Sequence, residues 1–154
     1  MINQDNLLNI KSELGEAVKL IAVSKRQPDE KVASILELGH NILGENYVQA
    51  LCDRYEKFKE SPIEWHMIGH LQSNKVKYIA PFINLIHAVD SFSLLQTIHK
   101  EGVKNNRVIN CLLQVHIAEE DSKFGFDESE IEELLGNPLI ADFTHARIIG
   151  LMGM

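Results

Sequence analysis

The chain of 154 residues is long enough for one ordinary domain, and its 45% apolar residues supply a hydrophobic core. Its net charge of -7, with basic and acidic residues interleaved, argues against a nucleic-acid binder or an anionic-membrane binder, because both need concentrated Lys and Arg. Cys52 and Cys111 lie far apart without a CxxC spacing, so reduced thiols are expected rather than a disulfide framework. The polar N-terminus has no signal-peptide character and no apolar run approaches a membrane span, so a cytoplasmic location is predicted.

Helical and strand-like segments alternate along the chain. An amphipathic helix is predicted over residues 6–14, and four later apolar stripes with helical spacing are centred on Val32–Leu38, Tyr47–Phe58, Leu94–Ile98 and Ile131–Leu135. Six short apolar runs with little polar alternation predict buried parallel strands, over residues 18–23, 41–43, 63–68, 84–88, 108–117 and 147–152. This order predicts a single α/β domain over residues 1–154, and periodicity alone leaves both an open doubly wound sheet and a (β/α) barrel open.

Unusual polar residues follow the predicted strands, where parallel α/β folds collect their ligands. Lys25 comes directly after the first strand. A lysine at such a mouth can be partly desolvated and act as an amine nucleophile toward a carbonyl, as in a Schiff base with a sugar-type carbonyl or with pyridoxal phosphate. A solvated strand-end lysine is the alternative that position alone favours.

His66 and His70 are four residues apart, a spacing that on a helix would suit a metal site. The segment reads as a strand ending at Gly69, and no third ligand accompanies the two histidines, so no metal is predicted. Motifs of nucleotide-binding folds and of α/β-hydrolases are absent from the sequence.

Five ordered segments carry a specific resemblance. They are Ile21-Ala22-Val23-Ser24-Lys25, Gly44-Glu45-Asn46-Tyr47-Val48-Gln49, Glu64-Trp65-His66-Met67-Ile68-Gly69-His70-Leu71-Gln72-Ser73-Asn74-Lys75, Ser122-Lys123-Phe124-Gly125 and Gly150-Leu151-Met152-Gly153-Met154. In this order and at this spacing the chain resembles the pyridoxal phosphate homeostasis protein family from about residue 20 to residue 154.

The resemblance implies an alanine-racemase-like (β/α)8 barrel that binds pyridoxal 5'-phosphate (PLP) as a Schiff base on Lys25. It implies a role in holding or delivering PLP within the cell rather than in catalysis. Asn46 and His70 are implied to line the pocket beside the cofactor. Lys75 and Lys123 match the family's motifs without an assigned role, and the role of His116 is left open.

The resemblance also implies that family members continue for two further βα units, whose loops hold the cofactor phosphate. Six strands cannot close an eight-stranded barrel, so we expect an incomplete barrel with unpaired edges at the first and last strands. Two alternatives to a PLP carrier remain: a racemase-like enzyme with Lys25 as its base, and a fragment that no longer binds PLP. Oligomeric state is left undetermined.

Overall fold

The computed structural model describes residues 2–117 and 124–154, which form one six-stranded sheet flanked by helices. The strands are β1 (Ala22–Val23), β2 (Ile42–Glu45), β3 (Glu64–Met67), β4 (Leu85–Val89), β5 (Ile109–Val115) and β6 (Ala146–Gly153). The helices are α1 (Gln4–Leu14), α2 (Asp29–Glu37), α3 (Val48–Lys57), α4 (Val76–Ile79), α5 (Phe92–Lys104) and α6 (Glu128–Gly136). Two short 3₁₀ segments, Ser73–Lys75 and Pro138–Asp142, precede α4 and β6.

The strand order distinguishes between the two architectures left open by the sequence. All five ladders are parallel and the order is β1-β2-β3-β4-β5-β6, so each strand lies beside its neighbour in sequence. A doubly wound sheet would reverse its order at a switch point, whereas a barrel winds in one direction. The predicted incomplete barrel is therefore confirmed. Within the described residues β1 pairs only with β2 and β6 only with β5, so the sheet does not close.

The main core lies between the sheet and the helices on its outer face. Trp65 and Met67 of β3 are buried there, together with Leu51 of α3 and Leu95 of α5. Because neighbouring residues along a strand point to opposite faces, His66 points to the inner face of the sheet. The inner face thus carries polar groups, while the outer face provides the apolar packing.

The predicted elements differ from the observed ones chiefly in length. The first strand was predicted over residues 18–23, but only Ala22–Val23 forms a ladder. The short helix α4 was not predicted, because its four residues are too few to show a helical period. Cys52 and Cys111 are free thiols, and the described part of the chain contains no helix with the length and apolarity of a membrane span.

Candidate functional site

Lys25 occupies a tight turn at the carboxyl end of β1. The Ser24 carbonyl accepts a hydrogen bond from the Gln27 N–H at 3.0 Å, so Lys25 and Arg26 are the central residues of the turn. Arg26 adopts a left-handed backbone conformation with φ of 57°, which is uncommon for a residue other than glycine. The Lys25 side chain is exposed, as expected for the solvated strand-end lysine that position alone favours.

A buried ion pair fixes this turn to its neighbours. Glu45, at the end of β2, is fully buried and its Oε1 accepts a hydrogen bond from Ser24 Oγ at 2.7 Å. Arg54 of α3 lies with its Nε 3.3 Å from the same oxygen, and its Nη2 donates to the Gln27 carbonyl. The turn that carries Lys25 is therefore held at both ends, by Glu45 at Ser24 and by Arg54 at Gln27. We call these three side chains, Ser24, Glu45 and Arg54, the turn clamp.

The site residues predicted by the resemblance lie around one cavity. Lys25, Asn46 and His70 come from the ends of three different strands, and all three line a cavity of about 440 Å³ at the carboxyl edge of the sheet. Residues of β1, of the loop after β3 and of the later part of the chain complete the wall. The other lining residues are Val23, Ile68, Gly69, His87, Gln114, Phe124, Met152, Gly153 and Met154. The three predicted residues are thus brought together by the fold, and we call this space the Lys25 cavity.

Gly69 brings the loops after β2 and β3 into direct contact. A Cβ at this position would lie 2.3 Å from the backbone oxygen of Asn46 and 2.7 Å from its Cα, so only glycine fits. The side-chain Oδ1 of Asn46 is buried and has no hydrogen-bond partner among the described residues. A buried acceptor without a partner is costly, and a hydrogen-bond donor on a bound ligand would satisfy it.

His70 is positioned by two contacts at the rim of the Lys25 cavity. Its Nδ1 lies 3.3 Å from Asp90 Oδ2, and its ring packs against Phe124 with 4.2 Å between ring centroids. The side chain keeps 43% of its exposure, so His70 remains accessible to a ligand.

Two histidines, His66 and His87, are in contact on the inner face of the sheet. His66 Nδ1 is 2.9 Å from His87 Nε2, and His66 Nε2 is 3.0 Å from Glu64 Oε1. Burial lowers the pKa of His66, against the opposing influence of Glu64. Burial, and then the neighbouring His66, lower the pKa of His87 to about 4. The described residues contain no cluster of three or more side chains that could hold a metal ion.

Lys75 and His116 do not line the Lys25 cavity. Lys75 lines an adjacent cavity of about 570 Å³, which shares Asn46 and His70 with the first. Lys123 falls outside the described residues. The N–H of His116 donates to the Phe126 carbonyl at 2.9 Å, and its side-chain Nε2 is buried without a partner among the described residues.

Two site residues were missed by sequence reasoning. Glu45 was seen only as part of a motif, and Arg54 was not noticed. Arg54 follows Leu51 by three residues, which places it on the buried face of α3. A charged residue on the apolar face of a helix is the signal that could have indicated a buried ion pair.

Comparisons with known proteins place the chain in a family. No sequence model of a protein family matches it. The pyridoxal phosphate homeostasis protein of Aquifex aeolicus is 37% identical over 134 residues, which are 87% of this chain and 58% of that protein. The protein of the same name from Escherichia coli K12 is 33% identical over 142 residues, covering 90% of this chain and 60% of that protein. The chain therefore spans about three fifths of the length of these curated relatives.

Solved structures show the same relationship. PipY of Synechococcus elongatus PCC7942, solved without PLP, has a TM-score of 0.90 and 30% identity, covering 97% of this chain and 69% of PipY. The structure of PipY with PLP bound also has a TM-score of 0.90, at 29% identity. Alanine racemase of Clostridium difficile 630 shares the fold, with a TM-score of 0.75 at 16% identity. The sequence and fold similarities agree, and the chain belongs to the pyridoxal phosphate homeostasis protein family.

Proposed function

We propose that this protein binds PLP in the Lys25 cavity, holds it as a Schiff base on Lys25, and takes part in intracellular PLP homeostasis. The observation that carries the proposal is the convergence of Lys25, Asn46 and His70 on one cavity from three separate strand ends. PipY with PLP bound and the names of the curated relatives support the same ligand.

The residues of the cavity fit the aldehyde and the polar ring atoms of such a ligand. PLP carries an aldehyde, which condenses with a primary amine, and Lys25 is the only lysine among the described residues that line the cavity. The turn clamp fixes the backbone on both sides of Lys25, so the lysine side chain starts from a defined position at the edge of the cavity. The unsatisfied Asn46 oxygen and the accessible His70 ring provide polar contacts for a small polar ligand.

A carrier is favoured over a racemase-like enzyme. Racemisation requires proton transfer on two faces of a substrate, hence a second acid or base opposite the lysine. His70 and His87 line the Lys25 cavity among the described residues, so the carrier role is supported by the names of the curated relatives and not by the lack of an acid or base. The likeness to alanine racemase, at 16% identity, concerns the fold alone. A cytoplasmic location and the absence of nucleic-acid or membrane partners stay predictions from the sequence.

A spectroscopic titration tests the proposed binding. Adding PLP to the wild-type protein is expected to give a saturable visible absorbance band, and Lys25→Ala is expected to lose it because the amine that forms the Schiff base is gone. Lys59→Ala is the matched control, since Lys59 is an exposed lysine paired with Glu56 and does not line the cavity. A band of equal size in Lys25→Ala would contradict the assignment of Lys25. Turnover of an amino-acid enantiomer by the wild-type protein would contradict the carrier role.

A further inference from the structure

Three titratable side chains form a continuous hydrogen-bonded chain on the inner face of the sheet. Glu64 stands at the start of β3 and contacts the ring of His66, which in turn contacts the ring of His87 on β4. Both histidine side chains are buried, with residue exposures of 2% for His66 and 9% for His87. This hydrogen-bonded chain of side chains starts at an exposed end, where Lys19 Nζ lies 3.3 Å from Glu64 Oε1. It ends at His87 in the wall of the Lys25 cavity.

The charge state of Glu64 sets the direction of every hydrogen bond in this chain. Burial acts to raise the pKa of Glu64, but hydrogen bonds from His66 and Lys19 outweigh it and leave the pKa below its usual value. An ionised carboxylate can only accept, so the proton on His66 resides on Nε2. A neutral His66 then offers a lone pair at Nδ1, which accepts from the Nε2–H of His87. His87 Nδ1 is left without a proton.

We propose that the chain of Glu64, His66 and His87 fixes His87 Nδ1 as a hydrogen-bond acceptor toward the Lys25 cavity, and so makes His87 a specificity-determining residue for a ligand group that carries an O–H or N–H. His87 Nδ1 has no hydrogen-bond partner within residues 2–117 and 124–154, which leaves it available to a ligand. Only the identity of that ligand as PLP rests on the proposed function.

At lower pH, His87 Nδ1 should change from a hydrogen-bond acceptor to a donor. Glu64 and Lys19 act on the pair at one end, and Lys25 and His70 line the same cavity as His87 at the other. One proton added to the pair places hydrogen on His87 Nδ1 in either arrangement: the proton enters there directly, or it enters at His66 Nδ1 and turns the His66–His87 bond around. The low pKa of both rings keeps this change below neutral pH.

Nitrogen-15 NMR of the histidine rings in the apo protein tests the proposal without any ligand. At neutral pH we expect both His66 and His87 to carry their proton on Nε2. The variant His87→Gln lacks the His87 ring, so the resonances that it loses are assigned to His87. Glu64→Gln removes the anion that favours a charged His66, so the titration of the pair should shift to lower pH. Lys19→Met removes a cation that disfavours a charged His66, so the titration of the pair should shift to higher pH.

The opposite signs of the two shifts separate an electrostatic chain from a merely structural role. A proton on His87 Nδ1 at neutral pH, or a titration that neither variant moves, would overturn the proposal.

Addition of PLP then separates this proposal from the proposed function. If PLP binds, the His87 Nδ1 resonance should shift while its proton stays on Nε2. If PLP forms a Schiff base with Lys25 and the His87 resonance stays unchanged, the role of His87 in ligand recognition is overturned. If PLP fails to bind while the expected tautomers and shifts are found, the proposed function fails and the acceptor assignment stands.

Discussion

Replacing Glu45 with leucine is expected to lower the free energy of unfolding by about 3 to 5 kcal/mol, because it leaves Arg54 buried without its counter-ion. The side chain of Arg54 retains only 11% of its exposure, and its Nη1 already has no partner among the described residues. The same change removes the acceptor of the Ser24 hydroxyl. Urea denaturation followed by circular dichroism measures the loss.

Two variants show whether the loss comes from the unpaired charge. The double variant Glu45→Leu with Arg54→Met removes both charges, and we expect it to be more stable than Glu45→Leu alone. Glu56→Leu breaks an exposed ion pair with Lys59 and should cost less than about 1 kcal/mol. If Glu45→Leu and Glu56→Leu were equally stable, the buried ion pair would not hold the turn in the manner described.

Gly69→Ala is expected to destabilise the protein by about 1 to 3 kcal/mol and to weaken PLP binding, because the new methyl group meets backbone atoms that cannot rotate away. The added Cβ would lie 2.3 Å from the backbone oxygen of Asn46, so the loops after β2 and β3 must separate. Their separation moves Asn46 and His70 relative to Lys25. Thermal unfolding and a PLP titration of the same preparation measure both effects.

Gly136→Ala is the matched control for this substitution. Gly136 ends α6, and a Cβ there would meet nothing within 4 Å. Alanine is the better helix former, so this variant should retain stability or gain up to about 1 kcal/mol. Equal behaviour of the two glycine variants would contradict the close approach at Gly69.

The sequence was sufficient for the elements whose cause is local. The buried apolar runs predicted all six strands, and the stripe from Tyr47 to Phe58 predicted α3, observed over Val48–Lys57. The length of β1 was overestimated, because residues 18–21 are apolar except for Lys19 yet form no ladder with β2. Apolar composition predicts burial, whereas strand bounds depend on which backbone groups find a partner.

The site was predicted only as far as the resemblance and strand-end positions reached. These gave Lys25, Asn46 and His70, which the fold brings to one cavity. The turn clamp joins β1, β2 and α3, and the His66–His87 pair joins β3 to β4. Such contacts depend on the register between strands, which no local pattern encodes. The resemblance assigned no role to Lys75. The structure shows that Lys75 lines the adjacent cavity and not the Lys25 cavity.

Borohydride trapping followed by peptide mass mapping tests the central claim most directly. The protein is saturated with PLP, reduced, digested and mapped beside Lys25→Ala treated in the same way. Binding at Lys25 predicts a pyridoxyl group on the peptide that contains Lys25, and its loss in the variant. Equal labelling of many lysines, or a saturable adduct on a lysine other than Lys25, would contradict it.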